Sequence, residues 1–345
     1  MKKVSVVILN WNGLEMLQRF LPGVVVCSQT DEIEVCVADN ASTDASCAWV
    51  RENFPGVRLI VLDQNFGFAD GYNRALQQVD AEYVVLLNSD VEVTSGWLEP
   101  MVAYMDAHPE VAACQPKLRS QRCKTAFEYA GAAGGFLDKY GYPFCRGRIF
   151  DVVEEDCGQY EAICPIFWAS GAALFIRSMD YWEAGGLDGR FFAHMEEIDL
   201  CWRLRSQGRG LVCIPQSVVY HVGAATLKKE NPRKTFLNFR NNLLMLYKNL
   251  PEKELSKVLF VRGLLDWVAI FVFLLKGELA NARSVIQARK EFRRLRPAFE
   301  ASRAECQSKA VAGIIPERVN YSILWRFHVE HKKRYSALSP DESNS

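Results

Sequence analysis

Net charge is the first thing this chain of 345 residues lacks: 41 Lys and Arg offset 41 Asp and Glu. That excludes a uniform basic field for nucleic acid, and no nucleic-acid-binding motif is found. Paired cysteines are lacking too. The eleven cysteines form no Cys-x-x-Cys, and most lie in apolar stretches, such as Cys36 in IEVCVAD and Cys213 in GLVCIP. An odd count without a framework excludes a disulfide scaffold, argues against structural zinc, and implies reduced thiols in a cytoplasmic protein. A secretory signal is not expected, because the apolar run in MKKVSVVILNWNG is only six residues long before it turns polar. Nor does any stretch reach the roughly 18 apolar residues of a spanning helix. The longest run, Trp267–Leu275 (WVAIFVFLL), has nine. No internal repeats occur.

What is present is the composition of a folded globular protein, 49% hydrophobic and 24% charged. The length admits one large α/β domain with an appendage, or two domains. The zero net charge hides an asymmetry. Residues 1–200 hold 15 basic and 29 acidic residues and residues 201–345 hold 26 and 12, so the two stretches stand near −14 and +14. A basic C-terminal region suggests an anionic partner.

Up to Leu118, short β-branched runs alternate with helix-like segments. Strands are predicted at Val4–Leu9, Ile33–Ala38, Val57–Leu62 and Tyr83–Leu87. Helices are predicted near Leu14–Phe20, Asp44–Glu52, Ala69–Val79 and Gly96–Asp106. Strands apolar on both faces, alternating with helices, predict a mostly parallel Rossmann-like sheet covered on both sides. Ligands of such sheets bind beyond the carboxyl ends of the strands. The segment Leu118–Ile163 reads as long loops or a small hairpin. Regularity returns at Phe167–Ile176, in a loop and helix over Gly185–Gln207, and in a short strand pair near Leu211–His221. The pattern is helical from Asn231, and a disordered tail is expected after about Ser336.

Polar clusters follow the strands. NWNG (Asn10–Gly13) follows the first and DNASTD (Asp39–Asp44) the second. There Asp39 is either part of a helix cap and turn or a carboxylate for a nucleotide. Gln64–Leu76, after the third strand, holds Asn65, Gly67 and Asp70. Backbone N–H groups at its helix start favour phosphate, but it is neither a G-x-G-x-x-G nor a P-loop. After the fourth strand, NSD (Asn88–Asp90) is either a plain turn or half of an Asp-x-Asp metal site. In Gly185–Leu204, Glu196, Glu197 and Asp199 crowd the first turn of a helix, where carboxylates are favoured and Asp199 can pair with Arg203. Three acids beside Phe191 and Phe192 also suit a general base of tuned pKa. His221 follows a strand and reads as a structural histidine or a ligand of metal or phosphate.

Taken in order, VSVVILNWNG, VADNASTD, NFGFADGYNRAL, LLNSD, WASGAALFIR and GGLDGRFFAHMEEIDLCWR resemble a family 2 glycosyltransferase of the GT-A fold, close to its bacterial rhamnosyltransferase-like branch. The resemblance spans Val4–Thr226. It implies inverting, metal-dependent transfer of a sugar from a nucleotide-diphosphate donor (UDP or dTDP, with dTDP-rhamnose among the options) to a hydroxyl of a glycan or polyprenyl-diphosphate-linked acceptor. Asp39, with Asn10 and Asn12, would bind the nucleoside. Asn65, Gly67, Asp70 and Asn88 would line the donor site. Asp90, and His221 as in some members, would hold Mg²⁺ or Mn²⁺. The turn from Trp168 to Gly171 would wall the sugar and acceptor, and Arg240 with Asn241 would face the site. The family's base is the Asp of a Glu-Asp pair. Here the pair is Glu196-Glu197, so Glu197 takes that position, with one methylene more, and which glutamate acts stays open, with Asp199 close by.

The implied organisation is a catalytic domain over residues 1–226, with its nucleotide-binding portion at residues 1–118 and its acceptor-side portion at residues 119–226. A basic helical region over residues 227–335 and a tail over residues 336–345 follow. Ala282–Arg296 holds six Lys or Arg and one Glu, with Val285, Ile286, Phe292 and Leu295 at near-helical spacing. It reads either as an amphipathic segment on an anionic membrane at the inner leaflet or as a helix packed on the core. Two other readings keep the fold: a sugar nucleotidyltransferase, which would want a basic glycine-rich loop after the first strand, and an inactive nucleotide-binding partner of a transferase.

Overall fold

The computed structural model describes residues 1–223 and 231–338. The expected end of the catalytic domain at Thr226 and the tail residues 339–345 lie outside the described residues.

The chain opens as β1 (Lys2–Asn10), α1 (Leu14–Ser28), β2 (Ile33–Asp39), α2 (Ser46–Asn53), β3 (Arg58–Val61), α3 (Gly67–Leu76) and β4 (Ala81–Asn88). Stiff β-branched residues favour extended backbone, and here helices cover both faces of the strands. Val84, Val85, Leu86 and Leu87 of β4 are all buried, each contributing roughly 1.5–3 kcal/mol. The order β3-β2-β1-β4 is parallel throughout. Its register sets Asn10 beside Asp39 and Leu9 beside Asn88. The four polar clusters therefore emerge at one edge, as the alternation predicts.

Next come β5 (Val91–Val93), α4 (Glu99–Ala107) and β6 (Val111–Ser120). Where loops or a hairpin were expected stands a four-stranded antiparallel meander: β7 (Gly135–Leu137), β8 (Pro143–Cys145), β9 (Arg148–Ile149) and β10 (Val152–Val153). After β11 (Cys164–Pro165), β12 (Ala173–Arg177) inserts antiparallel between β4 and β6. Then follow α5 (Ser178–Glu183), α6 (Glu196–Ser206) and β13 (Gly210–His221). The expected strand pair at Leu211–His221 is this single strand, with its register shifted between Ile214 and Val218. Pro215 sits in that gap and cannot donate to the ladder. Past the bulge, β13 pairs with β6 on one side and β5 on the other, which sets His221 opposite Val91.

The rest is helical: α7 (Pro232–Asn249), α8 (Glu252–Leu275), α9 (Leu279–Leu295), α10 (Glu300–Lys309) and α11 (Ile323–His328). α7 packs on α6, α8, α9 and α10. Of the two readings of Ala282–Arg296, the helix packed on the core is the one seen at Val285 and Phe292, which are buried, while Ile286 stays 37% exposed. One expectation is corrected. α8 is one continuous helix of 24 residues whose most apolar 18-residue stretch has a mean hydropathy of 2.3, long and apolar enough to cross a membrane. Arg262 and Asp266 interrupt its apolar run in sequence but turn inward in the fold. Ser336 and Ala337, placed in the expected tail, still belong to a turn (Tyr335–Ala337).

Candidate active site

The donor edge is built from side chains that shape backbone. Asp39 is buried, and its carboxylate accepts the Ser42 N–H at 2.8 Å and the Asn10 amide at 3.1 Å. Asn12, itself left-handed at φ 49°, accepts the Thr43 N–H at 2.7 Å. The β1 and β2 loops are thus locked together. The carbonyl oxygen of the Asn10 side chain is buried with no partner, and only a glycine fits at position 13, where a Cβ would stand 2.4 Å from that oxygen. Asn40 carries the lock onward, donating to Asn65 (3.0 Å) and to the Gly67 carbonyl (2.9 Å) and accepting from Phe66 N–H (3.0 Å). Gly67 lies at φ +75°, and a Cβ there would press on the Phe192 ring at 2.9 Å. Asp70 is not aimed at the open edge, since its carboxylate packs against Gly189.

Asp90 leaves the β4–β5 turn directly beside His221. The His221 Nε2 lies 3.1 Å from Asp90 Oδ1, and its Nδ1 faces Glu128 at 3.3 Å. Burial alone would lower the imidazole pKa, but the Asp90 and Glu128 carboxylates outweigh it and raise it to about 10. Asp90 in turn is held below the usual carboxylate range, His221 overcoming its burial. Sequence reasoning paired Asp90 with His221 but missed Glu128, which lies 93 positions from His221 with no local motif to mark it.

The acidic helix start is the third component. Glu196 is buried, whereas Glu197 is partly exposed. Both have an oxygen without a hydrogen-bond partner. Burial first, then the Glu197 charge, pushes Glu196 well above the ordinary carboxylate range, and burial also raises Glu197. Two neighbouring carboxylates of this kind oppose each other's ionisation, and the stronger upward push falls on the deeper Glu196. Glu197 adjoins the β12 entry, as a Cβ on Gly171 would lie 3.7 Å from its own Cβ. From there Ala172 O accepts the Asn88 N–H at 3.0 Å, which joins the base region to the tip of β4.

The loop before α6 is strained. Phe192, His194 and Met195 all have positive φ, at 67°, 71° and 75°. Asn241 of α7 clamps it, its amide donating to the carbonyls of Phe191, Ala193 and His194 at 2.8–2.9 Å. Arg240 adds a bond to the Phe191 carbonyl at 2.9 Å. Arg240 thus reaches the loop that leads to Glu196 and Glu197, not an open pocket. His194, not singled out from the sequence, is half-buried with a shielded, unpaired Nε2, and desolvation lowers its pKa to about 4.

Two expected residues stand apart. The Trp168 side chain is core: it is 3% exposed, donates to the Phe136 carbonyl at 3.0 Å and stacks where Gly135 leaves no Cβ. Only its turn, through Gly171, reaches the site. Asp199 has no free capacity, because Arg203, Lys248 and Asn249 take its oxygens at 2.7–3.0 Å.

A mixed sheet with a parallel nucleotide half, helices on both sides and a polar carboxyl edge is the GT-A fold. Solved structures agree: Staphylococcus aureus TarS (residues 1–349 with UDP-GlcNAc) superposes with a TM-score of 0.56 over 89% of each chain at 16% identity. GalNAc-T7 with UDP, GalNAc and Mn²⁺ gives 0.56 at 15% identity over 72% of this chain and 48% of that one. Residues 5–159 match the profile of Glycosyl transferase family 2. The N-acetylglucosaminyl-diphospho-decaprenol L-rhamnosyltransferase of Mycobacterium tuberculosis is 25% identical over 232 residues, 63% of this chain and 75% of that protein. The chain is thus a glycosyltransferase, similar to family 2 over residues 5–159 and to a rhamnosyltransferase-like member over 232 residues.

Proposed function

We infer that the chain catalyses inverting transfer of a sugar from a UDP- or dTDP-linked donor to a hydroxyl of a polyprenyl-diphosphate-linked glycan, in the cytoplasm. The observation that carries this reading is the pairing of a buried Glu196 with a less buried Glu197, each with an oxygen lacking a hydrogen-bond partner, at the end of a strained loop. Glu197 takes the acceptor hydroxyl's proton. The freed oxygen bonds to the anomeric carbon from the face opposite the diphosphate, whose bond to that carbon breaks and which leaves with the electron pair. Glu196, pushed toward its protonated form, supplies an O–H donor beside the base and no competing charge. Asp39, Asn10 and Asn12 shape the nucleoside end, and the Asn65–Gly67 loop, tied to Asn40, lines the donor side. The acceptor class is the one printed in the name of the mycobacterial relative, and the basic helical region below gives it a surface to arrive on.

The Asp90 carboxylate suits a divalent cation as it stands, whereas His221, protonated between Asp90 and Glu128, would ligate only on giving up its Nε2 proton. Asp90 and His221 already touch, and no group of three His, Cys, Asp or Glu able to hold a metal occurs among the described residues. The remaining positions therefore fall to diphosphate oxygens and water. A nitrogen ligand favours Mn²⁺ over Mg²⁺, whose sites are built from oxygen. When bound, such an ion would neutralise charge growing on the leaving diphosphate. Glu128 would fix the His221 ring from behind.

The test is nucleotide release and sugar transfer with UDP-, dTDP- and GDP-sugars and a polyprenyl-diphosphate acceptor, with Mn²⁺, Mg²⁺ or EDTA, on wild type and Glu197→Gln. Metal-dependent transfer from one donor, lost in the variant, supports the reading. Transfer that persists in Glu197→Gln, or is indifferent to EDTA, overturns the base or the metal assignment respectively.

A further inference from the structure

The helix α8 is built inside out. Its inner face, at Leu255, Val258, Arg262, Asp266 and Ile270, is buried and includes its two central charges, with Arg262 2% and Asp266 0% exposed. Its outer face is apolar and bare: Phe260, Leu264, Trp267, Phe271 and Leu275 are 55–73% exposed. Those positions recur at intervals of three and four residues, so they form one stripe along four turns. A helix that faces water shows the reverse pattern. Charges turned inward and paired, with large apolar side chains turned out, are the arrangement of a helix whose outer face meets lipid.

The inner face is anchored to the protein. Arg262 donates to the Tyr140 carbonyl at 3.2 Å and stacks on Tyr142, while Asp266 pairs with Arg262 and with Arg289 of α9. One side of α8 is therefore committed to the body of the enzyme. A spanning helix would need lipid or other spans around it, whereas this one can offer only its outer side. The rim is cationic. Lys257 and Lys276 flank the stripe, and the adjoining α9 exposes Arg283, Lys290 and Arg293.

We propose that the outer face of α8 is a membrane-docking surface that lies in the plane of an anionic leaflet, its apolar stripe among acyl chains and its cationic rim on headgroups. The rim decides between lipid and a second copy of the chain. A symmetric pairing through this stripe would bring two like-charged rims together, and an anionic bilayer complements both features at once. Docking needs neither donor nor acceptor, so it stands apart from the transfer chemistry.

The experiment is flotation of the full chain with vesicles of phosphatidylcholine alone and with equal parts phosphatidylglycerol. Wild type is expected to float with the anionic vesicles and far less with the neutral ones. Trp267→Glu/Phe271→Glu should lower binding by roughly tenfold or more, and Arg283→Glu/Lys290→Glu/Arg293→Glu should abolish the preference for anionic lipid. Trp267→Phe keeps the face apolar and guards against misfolding: bromine-labelled lipid should quench wild-type fluorescence by a share that this variant lacks. Donor hydrolysis without vesicles should be unchanged in every variant, which separates failure of docking from failure of the transfer reading. Three results overturn the proposal: no flotation with either vesicle, a Trp267→Glu/Phe271→Glu double variant that floats like wild type, or a lipid-free dimer that this double variant splits into monomers.

Discussion

Removing the amide of Asn241 should abolish most of the activity while leaving the fold in place. In Asn241→Ala three loop carbonyls lose a donor that has two hydrogens to share, a loss of about 2–3 kcal/mol at roughly 1 kcal/mol per net bond. The loop holds three non-glycine residues at positive φ, each storing on the order of 1–3 kcal/mol. What would still hold it is the Phe68 N–H bond to Phe192 and an Arg240 bond to Phe191 that has lost its own Asn241 anchor, together about 2 kcal/mol at most. The stored strain exceeds that restraint, so the loop relaxes and carries Glu197 with it. A displacement of about 1 Å at a reacting group is worth about 100-fold. The expected outcome is a kcat about 100-fold lower, an unchanged KM for the donor, and a Tm lower by about 5 °C or less, because the sheet core is untouched. Asn241→Asp should be worse than Ala, since it turns lone pairs onto three carbonyls. Transfer kinetics and calorimetry on both variants decide it. A kcat within about threefold of wild type, or an Asp variant more active than Ala, would refute the clamp.

Other consequences can be measured. Glu197→Gln should lower transfer by roughly 10²–10⁴-fold, and in wild type the acid limb of kcat/KM should lie above the usual glutamate range, with activity lost as pH falls through the raised Glu197 pKa. Glu196→Gln should stabilise the protein at alkaline pH. A carboxyl whose folded pKa is raised binds its proton more tightly when folded, so wild-type stability falls as pH rises from about 4.5 through the folded value, and Gln removes that penalty. Thermal melts that show equal gains at pH 4 and pH 8 would argue against this. Glu128→Ala should weaken Mn²⁺ binding about 10–100-fold in a calorimetric titration, with Gln in between; unchanged affinity would leave Glu128 merely structural. Gly135→Ala places a Cβ 2.1 Å from the Trp168 ring and should cost about 3 kcal/mol or more by overpacking, read as loss of soluble protein or of Tm.

The parallel half of the fold was legible because its causes are local. Runs such as Val84–Leu87 and the polar turns after them state strand, burial and edge within ten residues. The antiparallel insertion of β12 and the bulged β13 were not, since both are fixed by β4, β5 and β6, about 60–130 positions away. The same division runs through the site. Asp90, Glu197 and Asp39 follow strand tips or open a helix and could be read in place. Trp168 and Asp199 look alike in sequence to site residues, and only packing shows that one fills the core behind Gly135 and the other anchors Lys248. Glu128 and His194 carry no pattern at all. α8 misleads for a physical reason, because two charges break its apolar run on paper but vanish into its inner face in three dimensions.

Backbone strain gives a reading of the site that owes nothing to motif or relatives. Among the described residues eight non-glycine positions have positive φ, and five of them, Asn12, Ala41, Phe192, His194 and Met195, lie in the donor loops or the base loop. Strained conformations persist only where surrounding groups over-determine them. Here those groups are identifiable: Asn12 and Asp39 hold the donor loops, Asn241 and Arg240 the base loop, and Gly67 lets Phe192 close the gap between the two. A glutamate base is one methylene longer than aspartate, so its backbone has to be set at a defined distance from the anomeric carbon. A left-handed residue directly before α6, fixed from α7, is a means of setting that distance. On this argument Glu197→Asp alone should leave the carboxylate short of the acceptor and lower kcat with little change in donor binding, and it would gain nothing from its closer likeness to the family's usual Glu-Asp pair. Restoration of full activity by that single substitution would show that the loop does not set the reach of the base.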